Sequence, residues 1–248
     1  MKESDLQKIL SALNRPLALS YVKETASTND DLKAAAKRGA PDFTLLIAGK
    51  QSKGRGREGR SFFSEGGLYM SLLLPALPEV CPFLTHLTAV AVACAIQEVT
   101  GADARIKWVN DVYVNGKKVC GILTENIGVN NARRLVVGIG VNIGKEQKDF
   151  PPEIRETAAS LSCDKTSLTA AILKEFFMRF DAFSPALLKQ EYRERCFLLG
   201  KKVLVIKNDG GREATVLDLT DDLGLDVLYD DGKREHLISG EVSLRSIF

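Results

Sequence analysis

Asn115-Gly116 stands between two runs of alternating character, "ARIKWVNDVYV" before it and "KKVCGILTEN" after it. A two-residue hairpin turn needs positive φ at both central positions, and Asn-Gly adopts that most readily. The middle of the chain is therefore committed to antiparallel strands. Other strands are expected at "LALSYVKE", "FTLLIAGKQ", "GGLYMSLLLP" and "RRLVVGIGVNIG". Helices are expected over 5–13, 83–99, 167–182 and 185–197. A further one lies in "STNDDLKAAAKRGA", where Ser27 or Thr28 can cap, acids fill the first turn and Gly39 stops it before Pro41. The segment "FPPEIRETAASL" reads as a loop. Near residue 200 the pattern changes to short strands with turns about every eight to twelve residues, as in a small barrel or sandwich.

Strands mixed with helices over 248 residues, 45% of them hydrophobic and 27% charged, describe an ordinary globular chain that can bury a core. Its 34 basic and 32 acidic residues leave a net charge of +2. That balance excludes a surface built wholly to wrap nucleic acid, so any anion site must be local. The five cysteines (Cys81, Cys94, Cys120, Cys163 and Cys196) are odd in number, far apart and form no Cys-x-x-Cys. They read as free thiols in a reducing compartment rather than a zinc or disulfide framework. "MKESDLQKIL" has no signal-peptide core, and the longest apolar stretch, around "AVAVACAI", reads as too short to span a bilayer. The expected location is cytoplasmic.

One local basic feature stands out: "KGRGREGR", residues 53–60. It formally contains Gly-x-Gly-x-x-Gly, but a dinucleotide fingerprint must open a helix, and "SFFSEGGLYMS" follows instead. Two readings remain. The run is a solvated basic loop, or it is a lid whose glycines make it costly to order until a small anion arrives. In the second case its arginines supply charge-assisted hydrogen bonds to phosphate or carboxylate.

"ETASTND", "GKQSKGRGREGRSFFS", "KWVNDVYVNGKKVCGIL", "VVGIGVNIG" and the terminal "GEVSLRS" resemble, in order and spacing, the motifs of the biotin protein ligases. The resemblance covers the chain from about residue 9. It implies an α/β (α+β) catalytic domain over 1–197, with a mixed sheet and flanking helices like those of class II aminoacyl-tRNA synthetases. A small SH3-like β-barrel over 198–248 would follow. It implies that biotin and ATP, with Mg²⁺, form biotinyl-5′-AMP and pyrophosphate, and that biotin then passes to a lysine of a biotin carboxyl carrier protein.

Residue by residue, the resemblance implies that Ser27, Thr28, Asn29 and Gln51 hold biotin. Ser27 or Thr28 can equally be a helix cap, and Gln51 an exposed strand-end amide. Gly54, Arg55, Gly56, Arg57 and Arg60 would form the ligand-ordered loop, with Arg55 and Arg57 touching both substrates, Arg60 touching ATP, and Arg57 bridging carboxylate and phosphate. Lys118 would point at the same anions while Lys117 faces the other side of the strand. Gly121 would admit a ligand close to the backbone, or mark a bulge. Lys107 and Asn110 would meet ATP. Asp111 would help hold Mg²⁺-bound phosphates or steer the incoming amine, and Trp108 reads as core. Asn142 would face adenine, with the glycines of "GIG" allowing close approach or tight packing. Glu241 and Arg245 would support the nucleotide from the small domain. The chain departs from the family at Val109, where proline is common, at Glu58, often basic, and at Phe62, often tryptophan.

The "STN" segment begins at residue 27, leaving no room before it for the DNA-binding domain of some relatives. Operator binding is therefore not expected, and a monomer or weak homodimer is. Two rivals stand beside this reading: a lipoate ligase of the same superfamily, and a non-catalytic RNA-binding module. The second lacks an aromatic platform interleaved with basic residues.

Overall fold

The computed structural model describes residues 1–13, 15–129, 132–207, 210–238 and 240–244, without the side chains of Glu58, Glu241, Ser243 and Leu244. Seven strands form the larger sheet: β1 (Ala18–Val22), β2 (Thr44–Lys50), β3 (Glu65–Pro75), β4 (Ala104–Lys107), β5 (Asp111–Val114), β6 (Lys117–Val129) and β7 (Ala132–Val141). Their order is β1-β2-β3-β7-β6-β5-β4. β1 and β2 run parallel and the remaining neighbours antiparallel. The Asn115-Gly116 turn has positive φ at both residues, as its composition requires.

A second, five-stranded antiparallel sheet comprises β8 (Lys202–Lys207), β9 (Gly210–Leu219), β10 (Leu225–Tyr229), β11 (Arg234–Leu237) and β12 (Glu241–Leu244). Its order is β11-β10-β9-β8-β12. This is where the small barrel was expected.

The helices are α1 (Glu3–Ser11), α2 (Thr28–Lys37), α3 (Leu84–Thr100), α4 (Lys165–Asp181) and α5 (Pro185–Arg195). Asp164 and Ser184 accept from the N–H groups of Ser167 and Leu187 and so cap α4 and α5; such caps are each worth about 1 kcal/mol. Alternation along the strands divides the sheet into two faces. Leu45, Ile47, Met70, Leu72, Val137 and Ile139 pack with α3 and α4 in the main core. Leu46, Leu73, Ile127 and Val136 point the other way, onto Leu32 and Ala36 of α2. With ten residues, α2 covers only part of that second face.

Two expectations are corrected. The run 104–114 is two strands, β4 and β5, paired antiparallel across a tight turn at 108–110 that contains no glycine or proline. The run Cys81–Thr100 has the length and apolar composition of a membrane-crossing helix, longer than the "AVAVACAI" window suggested. Its apolar window is 61% buried inside the protein. α3 is apolar nearly all round because it lies between the sheet, α4 and α5, as a core helix does.

α3 also carries a buried histidine. The His86 ring lies edge-on to Tyr192 with centroids 5.1 Å apart. Burial pushes its pKa from 6.5 down to about 4. Between those values the unfolded chain binds the proton and the folded chain does not. Stability is therefore lost as pH falls through that window, by about 3 kcal/mol between pH 7 and pH 4. Urea unfolding at the two pH values should show that much less acid sensitivity in His86→Leu. Equal sensitivity would show that His86 is not the buried neutral group.

The small sheet docks at the β4–β5 end of the large one. Trp108 Nε1 donates to Leu223 O at 2.9 Å, and in the connection that leads into the small sheet Phe197 N donates to Ile106 O at 3.2 Å. Leu223 is fully buried in the β9–β10 turn.

Candidate active site

A hollow opens on the α2 face of the sheet, past the N-terminus of that helix. Its floor is made of residues that lack side chains. Gly121 on β6 pairs with Gly140 on β7, and Gly138 pairs with Leu123. A Cβ at Gly140 would lie 2.5 Å from the ring of Phe62, at Gly121 2.9 Å from the same ring, and at Gly138 2.3 Å from Asn29 Oδ1. Each glycine is thus required by something seated directly upon it. The cavity has a volume of about 180 Å³.

One group of lining side chains is neutral and polar. Ser27 caps α2, its hydroxyl accepting from Asp30 N. Thr28 donates its N–H (2.8 Å) and its hydroxyl (3.0 Å) to Gln51 Oε1, and Gln51 Nε2 donates to Ser64 Oγ. Ser71, fully buried on β3, has its Oγ 2.6 Å from both Thr28 Oγ1 and Asn29 Oδ1. Asn29 Nδ2 donates to Glu125 Oε2 at 2.7 Å and to Leu123 O at 3.3 Å. Ser27, Thr28, Asn29 and Gln51 all line the cavity.

Five cations, Arg55, Arg57, Arg60, Lys107 and Lys118, also line the cavity, with Asp111 as the single lining carboxylate among the described residues. The loop arches over the floor, tied at its base by Phe62 N to Gly54 O and Gly56 N to Arg60 O. Gly54 has no alternative, since a Cβ there would meet Ser64 Oγ at 2.2 Å. Arg57 donates to Gly240 O at 3.2 Å and approaches Asn110 Oδ1 at 3.5 Å, so the lid reaches the small sheet. Arg55 pairs with Asp30 at the start of α2. Burial alone would raise the Asp30 carboxyl, but Lys33 and Arg55 outweigh it and hold the group below the usual carboxylate range.

Lys118 reaches the floor through a register slip. The β5–β6 pairing shifts by one residue between Val112 and Tyr113. Lys118 and Gly121 therefore meet on one side, with a Gly121 Cβ position 3.4 Å from Lys118 Cε. Lys118 Nζ lies 2.7 Å from Asp111 Oδ1.

Comparisons with known proteins place the chain in a family. The model of the biotin/lipoate A/B protein ligase family matches residues 21–142. The biotin protein ligase of Aquifex aeolicus, solved in complex with biotin and ATP, superposes with a TM-score of 0.78 at 31% identity, covering 92% of this chain and 98% of that one. This chain belongs to the biotin protein ligase family. Among family relatives, the biotin–[acetyl-CoA-carboxylase] ligase of Mycobacterium tuberculosis is 29% identical over 90% of this chain and 88% of its own length. The bifunctional ligase/repressor BirA of Bacillus subtilis is 42% identical over 58% of this chain, which spans only 46% of that relative's length.

Not every expected residue of this ligase-family chain reaches the cavity. Asn142 is buried with its Nδ2 on Ala159 O at 3.0 Å, because the 158–161 segment pairs with its backbone and takes up its amide. It is not among the residues that line the hollow. Arg245 and the Glu241 side chain lie outside the described residues. Trp108, expected in the core, is buried yet also lines the cavity. Phe62 keeps the aromatic wall expected of tryptophan and rests on two floor glycines. Ser71, Glu125, Gly240 and Val242 are among the residues not singled out beforehand. Ser71 had a signal, as the one serine inside the apolar run of β3.

Proposed function

We propose that the chain is an ATP-dependent biotin protein ligase that makes biotinyl-5′-AMP and transfers biotin to a lysine of a biotin carboxyl carrier protein. The observation that carries this is a single cavity that joins a neutral hydrogen-bonding group of side chains to five cations and one carboxylate. Such a site suits a molecule with an uncharged polar ring at one end and a carboxylate at the other. In the first step a biotin carboxylate oxygen attacks the ATP α-phosphorus, the bond to the β-phosphate oxygen breaks, and pyrophosphate leaves. Two anions must meet, and Arg57 and Lys118 offset their repulsion and the charge that builds on phosphorus. In the second step the lysine amine attacks the acyl carbon and AMP leaves. The mixed anhydride is water-sensitive, and the 54–60 lid covers it between steps.

The cavity is smaller than the roughly 300–1,000 Å³ usual for a small-molecule site. The Phe62 ring, lying against Gly121 and Gly140, takes up part of its floor. Asp111 fits a Mg²⁺ that arrives on the ATP phosphates, which keeps most of its ligands as phosphate and water oxygens. No group of three His, Cys, Asp or Glu among the described residues forms a cage for it. In this reading residues 1–197 form the catalytic domain, and 198–248 supply Gly240 and Val242 to close one wall.

ATP–pyrophosphate exchange with purified protein and Mg²⁺ tests the reading. Exchange is expected with biotin and not with lipoate. Exchange with lipoate alone would move the chain to the lipoate branch, and none with either would remove the adenylating reading.

A further inference from the structure

We infer that Glu125 is a positioning residue that sets the donor and acceptor polarity of the neutral side chains lining the cavity. The inference rests on the biotin reading above.

Asn29 has an amide whose oxygen and nitrogen can exchange places by a half-turn. On one side it faces Ser71 Oγ at 2.6 Å, and a hydroxyl can serve either as donor or as acceptor. Ser71 has one proton, and Thr28 Oγ1, whose own proton goes to Gln51, competes for it, so that side holds Oδ1 only while the proton turns to Asn29 and does not by itself fix the orientation. On the other side it faces Glu125 Oε2 and Leu123 O, and both groups only accept. Nδ2 must lie there, so Oδ1 is driven into the slot over Gly138, where no side chain competes with it.

The Leu123 contact is long at 3.3 Å, whereas the Glu125 contact is a short charge-assisted bond at 2.7 Å. Glu125 is thus the stronger determinant. It is itself held in place, because its other oxygen takes Lys33 Nζ at 2.7 Å, and Arg55 of the lid approaches to 4.0 Å. Asp30 completes this cluster through Lys33 and Arg55.

The consequence is chemical. A cyclic urea presents N–H donors beside a carbonyl acceptor. Asn29 Oδ1 has a second lone pair to accept from such an N–H. The Ser27 hydroxyl, which accepts from Asp30 N, keeps its own proton for the carbonyl. A reversed Asn29 would present a donor to a donor.

Calorimetric titration of biotin into the full chain, without ATP, tests this. Glu125→Ala is expected to weaken binding about tenfold, the loss of one charge-assisted hydrogen bond acting through Asn29. Asn29→Asp sets two carboxylates against each other and is expected to weaken it about a hundredfold. The double variant Asn29→Asp/Glu125→Gln restores a donor–acceptor pair with its direction reversed while keeping an acceptor over Gly138. It is expected to recover most of the affinity lost in Asn29→Asp, which a merely structural role would not produce. Wild-type affinity in Glu125→Ala, or no recovery in the double variant, overturns the inference alone. Wild-type protein that binds no biotin overturns the biotin reading together with it. Should Asn29→Asp fail to fold, Glu125→Ala still decides.

Discussion

Replacing Lys118 by alanine is expected to slow biotin-dependent ATP–pyrophosphate exchange by about 10²–10³-fold, the usual loss when one preorganised charge donor is removed from a transition state. The fold should survive. The Lys118 backbone is held independently of its side chain, with its N–H on Thr157 O at 2.8 Å and its carbonyl accepting from Ala159 N at 2.9 Å. The side chain is about one-third exposed, so the ion pair with Asp111 contributes no more than about 1 kcal/mol to stability. Removing the lysine also leaves Asp111 facing the incoming anions without a counter-charge. The double variant Lys118→Ala/Asp111→Asn separates these effects, since restored activity there would assign the loss to the exposed carboxylate. Exchange within about threefold of wild type in Lys118→Ala, with an unchanged melting temperature, would remove Lys118 from the reacting centre.

Gly138→Ala is expected to weaken biotin binding by at least about a hundredfold and to cost about 1–3 kcal/mol of stability by overpacking. The added Cβ would sit 2.3 Å from Asn29 Oδ1. Asn29 cannot yield cheaply, because Ser71, Glu125 and Leu123 hold it from three sides. Gly128→Ala is the matched control. It lies on the neighbouring strand β6 and has no atom within 4 Å of its Cβ position. Calorimetry on both variants checks the prediction. Wild-type affinity in Gly138→Ala would mean that Asn29 is not part of the binding surface.

Much of this architecture was legible along the chain, because it depends on neighbours in sequence. Ser27 caps α2 as its hydroxyl and the acidic first turn require. Gly101 ends α3 in the left-handed conformation that glycine adopts most readily. The Asn115-Gly116 hairpin forms where its composition places it. The Gly/Arg loop does not open an α-helix but arches over a cavity. The candidate residues from Ser27 to Gly121 were legible only through their joint resemblance to a family. No single one of them announces its chemistry.

Other features were not legible, for physical reasons. The turn at 108–110 has no glycine or proline to mark it, and only pairing of β4 with β5 reveals it. The apolar length of α3 is the same whether lipid or protein surrounds it, and here α4 and α5 do. Asn142 follows the glycines of β7, but a segment sixteen to nineteen positions away claims it. Ser71 and Glu125 act on Asn29 from 42 and 96 residues away. By itself the sequence determined which residues bear charge, which cap, which turn and which leave room, since those properties belong to a residue and its near neighbours. Only the tertiary structure decided that Asn29 points its oxygen over Gly138, that Lys118 faces Asp111, and that Arg57 reaches Gly240. Each of these depends on strand register and sheet order, which bring distant residues within hydrogen-bond reach.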